Sequence, residues 1–146
     1  MPSILILIGP NLNMLGTRQP EVYGHATLAD LEALCLKTAG ELGVTVDFRQ
    51  SNHEGELVTW IQQSRGKHQG IIINAGAYSH TSVAILDALH AVGLPVIEVH
   101  ISNIFAREAF RHHTYISSMA KGVICGLGFD GYRHALHSMA GLVTKA

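Results

Sequence analysis

Cysteine, lysine and long apolar runs are all scarce in this sequence of 146 residues, and each shortage closes off a class of protein. Two cysteines, Cys35 in a helix-period stretch and Cys125 in a β-rich run, cannot build a disulfide framework. They read as buried thiols in a reducing compartment, so the expected location is cytoplasmic. No apolar run approaches the roughly 20 residues that a membrane span requires. The opening MPSILILIGP has neither a basic leader nor a small-residue cleavage site, and it reads as a first strand rather than a signal. Charge of one sign is missing as well: 10 Lys and Arg stand against 11 Asp and Glu, nothing like the basic surplus of a phosphate-backbone binder. Nucleic acid and membrane are therefore not expected as partners.

What the sequence does have is apolar material, 47% of its residues, enough to close a core at the size of one ordinary domain. The expected organisation is a single domain over 1–146. Short β-rich runs alternate with longer stretches of helical period, the signature of βα units around a parallel sheet. The run over 3–8 is continuously Ile and Leu, as a strand covered on both faces requires. A helix is predicted from Thr27, a capping residue with Asp30 in the first turn, to Gly43. An alternating strand over 44–49 suits a sheet edge. Further helices are predicted over 54–65, 82–92 and 132–143, the first with Leu57, Val58, Trp60 and Ile61 as its buried stripe. Strands are predicted over 70–74, 96–100 and 123–125, the last reached through a loop and a short helix. The fold class is α/β, a flavodoxin-like five-stranded parallel sheet in the order 2-1-3-4-5 with helices on both faces.

In such sheets ligands bind beyond the carboxyl ends of the strands, where the winding reverses between the first and third strands. Polar residues concentrate there. Asn11, Asn13, Arg18 and Tyr23 follow the first strand, Asn74, Tyr78, Ser79 and His80 follow the third, and Glu98, His100, Ser102 and Asn103 close the fourth. The loop after the first strand is several times the usual 2 to 6 residues, as a lid would be, with Gly16 and Gly24 as hinges. Taken singly, the Asn and Ser residues also suit turns and caps, His100 a satisfied near-core position and Tyr23 an amphipathic loop anchor. Convergence on one crevice favours the functional reading.

Other motifs lead nowhere. The string GLGFDG, from Gly126 to Gly131, has the spacing of a dinucleotide fingerprint but follows the fifth strand instead of the first, and reads as a tight turn with close helix-to-strand packing. No phosphate-binding GxxxxGK[ST] loop occurs. The ten histidines form no metal-ligand spacing such as HExxH, so no metal is expected. The four lysines, Lys37, Lys67, Lys121 and Lys145, fall in a helix, before two strands on the opposite edge and in the tail. Carbonyl chemistry at the crevice would then proceed through an enolate rather than an imine.

Four segments carry a resemblance. GPNLNMLGTRQPEVYG (9–24), NAGAYSHTS (74–82), EVHISN (98–103) and REAFRHHTYIS (107–117) closely resemble type II 3-dehydroquinate dehydratase, in order along the chain. Met14, Gln19 and Ala109 depart from the usual pattern at positions without a chemical role. The resemblance implies a shikimate-pathway lyase that dehydrates 3-dehydroquinate to 3-dehydroshikimate with no cofactor. It implies that Tyr23, as a phenolate, abstracts the proton at C2. A phenol ordinarily ionises near pH 10, so Arg18 beside it must favour the anion. Asn11 would hold a water that stabilises the enolate, and His100, oriented by Glu98, would protonate the departing C1 hydroxyl. Asn74, His80, Ile101, Ser102 and Arg111 would bind the substrate's hydroxyls and carboxylate. The resemblance also implies a homododecamer built of trimers, in which Asp87 reaches a neighbouring subunit's site.

Two alternatives make different predictions. A hydrolase using His80 or His100 would want a GxSxG elbow, which is missing. A binding or signalling module of flavodoxin type would want acidic residues after the first strand in a receiver, or would hold a yellow flavin.

Overall fold

The uninterrupted Ile and Leu of Ser3–Ile8 form β1, an interior strand of a parallel sheet whose sides divide those residues between two cores. A computed structural model describes residues 1–17, 21 and 24–144 of the chain. Its strands are β1, β2 (Thr45–Gln50), β3 (Gly70–Asn74), β4 (Val96–His100) and β5 (Gly122–Cys125), in the order β2-β1-β3-β4-β5 with every pair parallel. Four helices cover the sheet: α1 (Leu28–Leu42), α2 (Glu54–Gln63), α3 (Val83–Val92) and α4 (Asp130–Thr144).

Strand alternation decides which helix packs where. Ile4, Ile6 and Ile8 meet Leu31, Cys35 and Ala39 of α1 and Tyr132, Leu136 and Met139 of α4. Leu5 and Leu7 point the other way, onto Leu57 and Ile61 of α2 and Ile85 and Leu89 of α3. The doubly covered first strand, the sheet order and the helices on both faces all agree with the sequence reading.

Local chemistry sets the helix ends. The Asp30 amide donates to Thr27 Oγ1 at 3.2 Å while the Thr27 amide donates to Asp30 Oδ2 at 2.9 Å, a complete capping box. Gly43 stops α1 in the left-handed region at φ 72°. Boundaries differ from expectation by one or two residues. α2 ends at Gln63, where the Ser64 amide turns back to the Ile61 carbonyl, and α4 starts at Asp130, whose carboxylate accepts from Arg133 Nε at 3.0 Å.

Two burial expectations are corrected. Cys125 is half-buried because β5 is an outer strand with its first two residues exposed. On the predicted buried stripe, Val58 and Trp60 are only half-buried, both packed against the rim of the core, and the Arg49 guanidinium lies 5.3 Å from the Trp60 ring centre. Four 3-10 turns were also too short to show a periodicity: Leu12–Met14, Gly76–His80, Ile104–Ala106 and Ala109–Arg111. All four lie in segments that follow the carboxyl ends of β1, β3 and β4. Among the described residues no helix is long and apolar enough to cross a membrane.

Candidate active site

β1 and β3 run side by side to their last residues, Ile8 opposite Asn74, and the chain then departs in opposite directions. The Gly9 amide extends the ladder by one bond to the Asn74 carbonyl, 2.8 Å. A Cβ on Gly9 would stand 2.4 Å from the Ala75 carbonyl oxygen, so only glycine lets the two strand ends approach this closely. Beyond them opens a small crevice whose walls include Asn11, Asn74, His80, His100, Arg107 and Arg111. Ile101 and Ser102 continue its wall from β4.

Each wall residue is held by its own element. Asn11 is the one non-glycine with positive φ among the described residues, at 68°, and its amide donates to Asn52 Oδ1 at 3.0 Å. Backbone held in this region costs free energy that the rest of the fold must offset, and such residues cluster at functional sites. Asn74 uses both ends of its amide: Nδ2 donates to the Tyr132 hydroxyl at 2.9 Å and Oδ1 accepts from the Gly76 amide at 3.1 Å. Tyr132 is fully buried on α4, and burial pushes its phenol above the ordinary range, so it is a neutral partner. The second hydrogen of Asn74 Nδ2 is left for an acceptor in the crevice.

β4 ends in a buried histidine–carboxylate pair. Glu98 is 0% exposed, and its Oε2 accepts from His100 Nε2 at 2.6 Å. Burial alone would raise the Glu98 pKa, but hydrogen bonds from His100, Ser117 and Thr114 and the attraction of His100 outweigh it and hold the carboxyl below its ordinary 4.5. A carboxylate can only accept, so Nε2 of His100 carries the proton in this bond, and Nδ1 is the ring nitrogen that Glu98 does not engage. His80 stacks 6.3 Å from His100 and donates Nδ1–H to the His113 carbonyl at 2.8 Å. Burial lowers the His80 pKa first, helped by the His100 and Arg111 charges against the opposing carbonyl bond and Glu98.

The cationic side of the crevice comes from the segment after β4. Arg107 Nη1 donates to Ser102 Oγ at 3.3 Å. Arg111 Nε donates to Glu108 Oε2 at 2.6 Å, and its guanidinium lies 5.0 Å from the Phe110 ring centre. Two guanidiniums and two imidazoles around a small polar cavity suit an anionic, oxygen-rich small molecule with a proton to be moved. Among the described residues no group of three or more His, Cys, Asp or Glu side chains is placed to hold a metal ion, and no lysine lines the crevice. A larger groove of about 900 Å³ beside β5 and α4 has only Lys121 and His137 as ionisable lining.

Residues 2–140 match the family model described as dehydroquinase class II. The chain belongs to the class II dehydroquinase family. A relative named 3-dehydroquinate dehydratase, from Streptomyces avermitilis, is 66% identical over 140 residues, covering 95% of this chain and 88% of its own length. Another, 3-dehydroquinate dehydratase 2 from Pseudomonas putida, is 61% identical over 144 residues, covering 99% and 97%. Among solved structures, the type II dehydroquinase from Propionibacterium acnes superposes with a TM-score of 0.93 at 45% identity, covering 97% of each chain.

With the class II dehydroquinase fold in view, the expected residues sort into three groups. Asn11, Asn74, His80, His100, Ile101, Ser102 and Arg111 come together on the crevice wall. Asp87 does not: it is exposed on α3 and lines no part of this cavity. Arg18 and Tyr23 lie outside the described residues. Of the other polar loop residues, Asn103 caps a 3-10 turn through Phe105 N at 3.1 Å, the turn role that single Asn residues suggested, and Tyr78 donates to the Asn52 carbonyl at 2.7 Å. The GLGFDG turn does serve close packing, since a Cβ on Gly126 would press to 3.1 Å from Asn103 Cβ. Sequence reasoning passed over Arg107, although it sits inside the 107–117 motif, and Tyr132, which no sequence signal marks.

Proposed function

We propose that this class II dehydroquinase removes water from 3-dehydroquinate to give 3-dehydroshikimate, in the shikimate pathway, through an enolate and without an imine. The observation that carries this reading is the His100–Glu98 pair at the crevice wall, a proton donor backed by a buried anion. Tyr23, as a phenolate favoured by Arg18, takes the C2 proton next to the ketone, and the electron pair moves onto the carbonyl oxygen. A water held by Asn11 donates to that enolate oxygen. The enolate then collapses to form the C1–C2 double bond, the C1–O bond breaks, and His100 Nδ1 gives its proton to the leaving hydroxyl, which departs as water. The proton on Tyr23 returns through solvent to His100 for the next cycle. Asn74, His80, Ile101, Ser102 and Arg111 hold the substrate's hydroxyls and carboxylate.

The same reading extends to assembly and place. The chain works as one catalytic domain in the cytoplasm, and trimers grouped into a homododecamer would let the exposed Asp87 of α3 complete a neighbour's site. Light scattering reads that mass directly, and a monomer would remove any role for Asp87 in catalysis.

Adding 3-dehydroquinate should produce the ultraviolet absorbance of a conjugated enone, and Tyr23→Phe or His100→Ala should each lower its rate by about 10² to 10⁴. Full activity in either variant assigns that proton elsewhere. Borohydride added with substrate should leave activity intact, and inactivation would point to an imine.

A further inference from the structure

Behind the crevice, two hydroxyls converge on the far oxygen of Glu98. Ser117 Oγ donates to Glu98 Oε1 at 2.6 Å and Thr114 Oγ1 approaches the same oxygen at 3.0 Å. Thr114 Oγ1 also accepts from the Ser117 amide at 3.0 Å, and the two hydroxyl oxygens are themselves 2.5 Å apart. Two hydroxyl protons serve three oxygen–oxygen contacts. Both hydroxyls therefore belong to one network around Glu98 Oε1, with Ser117 making the shorter bond to the carboxylate. A single turn carries both residues, and its Tyr115 amide is anchored to the Ser79 carbonyl at 2.9 Å, on the same 3-10 turn that bears His80.

Neither hydroxyl lines the crevice, and both lie on the opposite side of Glu98 from His100. We propose that Ser117, backed by Thr114, is a positioning residue that sets how readily His100 releases its proton. This rests on the proton-donor role given to His100 above. The reasoning is electrostatic. Glu98 is fully buried, so its negative charge is balanced by hydrogen bonds and not by water. Charge drawn toward Ser117 and Thr114 on Oε1 is charge withdrawn from Oε2, the oxygen that grips His100 Nε2–H. Removing a hydroxyl concentrates the anion on His100, which then holds its proton more tightly and becomes a weaker acid. The other ionisable groups facing the pair are His80 from the 3-10 turn after β3, and Arg107 and Arg111 from the segment after β4. Substitutions at 114 and 117 leave all three in place.

Ser117→Ala and Thr114→Val are the tests, with Thr114→Ser as the conservative variant that keeps the hydroxyl. For Ser117→Ala, kcat should fall about tenfold with KM within about twofold, and the alkaline limb of the kcat profile should move up by about half a pH unit. Thr114→Val should move both quantities the same way by less, and Thr114→Ser should restore the native profile. A purely structural role would lower the melting temperature and leave the limb where it is, and that result in folded Ser117→Ala and Thr114→Val proteins overturns the inference. The ring-proton titration of His100, followed by NMR without substrate, separates the two levels of the argument. Its midpoint should rise in Ser117→Ala even if 3-dehydroquinate is not turned over. An inactive native enzyme refutes the proton-donor reading, and an unmoved midpoint refutes the hydroxyl pair.

Discussion

Two histidine–carboxylate pairs stand at opposite ends of the sheet, and both imidazoles are 6% exposed. At the carboxyl end His100 meets Glu98 at 2.6 Å, with the carboxylate 0% exposed. At the amino end His68 meets Asp47 at 3.4 Å, with the Asp47 side chain 27% exposed and also bound by Arg49 Nε at 3.0 Å. What separates them is the second nitrogen. His68 Nδ1 is bonded to Ser3 Oγ at 2.8 Å, so both ring nitrogens are spent tying β1 and β2 to the segment before β3. Among the described residues the His100 side chain is hydrogen-bonded through Nε2 to Glu98, and it lines the crevice. A histidine beside a carboxylate can be more than a staple only where the fold leaves part of its ring facing a cavity.

The largest test of this contrast exchanges the acids for amides. Glu98→Gln should lower kcat by about 10²-fold or more, because the imidazolium loses its buried counter-charge, while Asp47→Asn should leave kcat within about twofold. Enone formation under saturating substrate measures both, and a matched loss at Asp47 would erase the distinction.

A smaller effect concerns the scaffold that makes one end open. Gly9→Ala pushes a methyl into the Ala75 backbone and should destabilise the protein by about 1–3 kcal/mol in urea unfolding, closing in on the crevice floor. Gly40→Ala, exposed in α1 with no atom within 4 Å of its Cβ position, should instead stabilise by about 0.5–1 kcal/mol.

The smallest is the pH response of the staple. Burial lowers the His68 pKa below its ordinary 6.5, with Asp47 opposing and Lys67 and Arg49 assisting. A histidine held neutral in the fold takes up its proton more readily when unfolded. Its contribution is therefore intact above pH 6.5 and is lost as pH falls below it. His68→Gln should shrink the drop in urea midpoint between pH 7.5 and 5.5 without abolishing it, since His80 is shifted in the same direction. An unchanged drop would mean that His68 is not the group being titrated.

Much of this site is legible in the sequence. The Ile and Leu run of 3–8, the alternation of 44–49 and the strand at 96–100 fixed the sheet order, and with it the edge where ligands bind, because strand period and connection handedness are local and general rules. Seven of the expected wall residues follow from that edge together with the family motifs. The supporting layer was not legible. Tyr132 is 58 positions from the Asn74 it orients, and Thr114 and Ser117 are 16 and 19 positions from the Glu98 they bind. Nothing in the spacing of a Tyr in the last helix or of two hydroxyls in a turn marks them as partners of strand residues.

The sequence by itself determined the class of fold, the end of the sheet that carries the site and, through its motifs, the family. Those properties depend on periodicity and on short contiguous strings. Tertiary structure alone decided which histidine faces a cavity, which nitrogen of His100 is committed, and how a fully buried Glu98 remains an anion. Each of these depends on distances between side chains far apart in the chain, and burial makes such distances count by removing the water that would otherwise screen them.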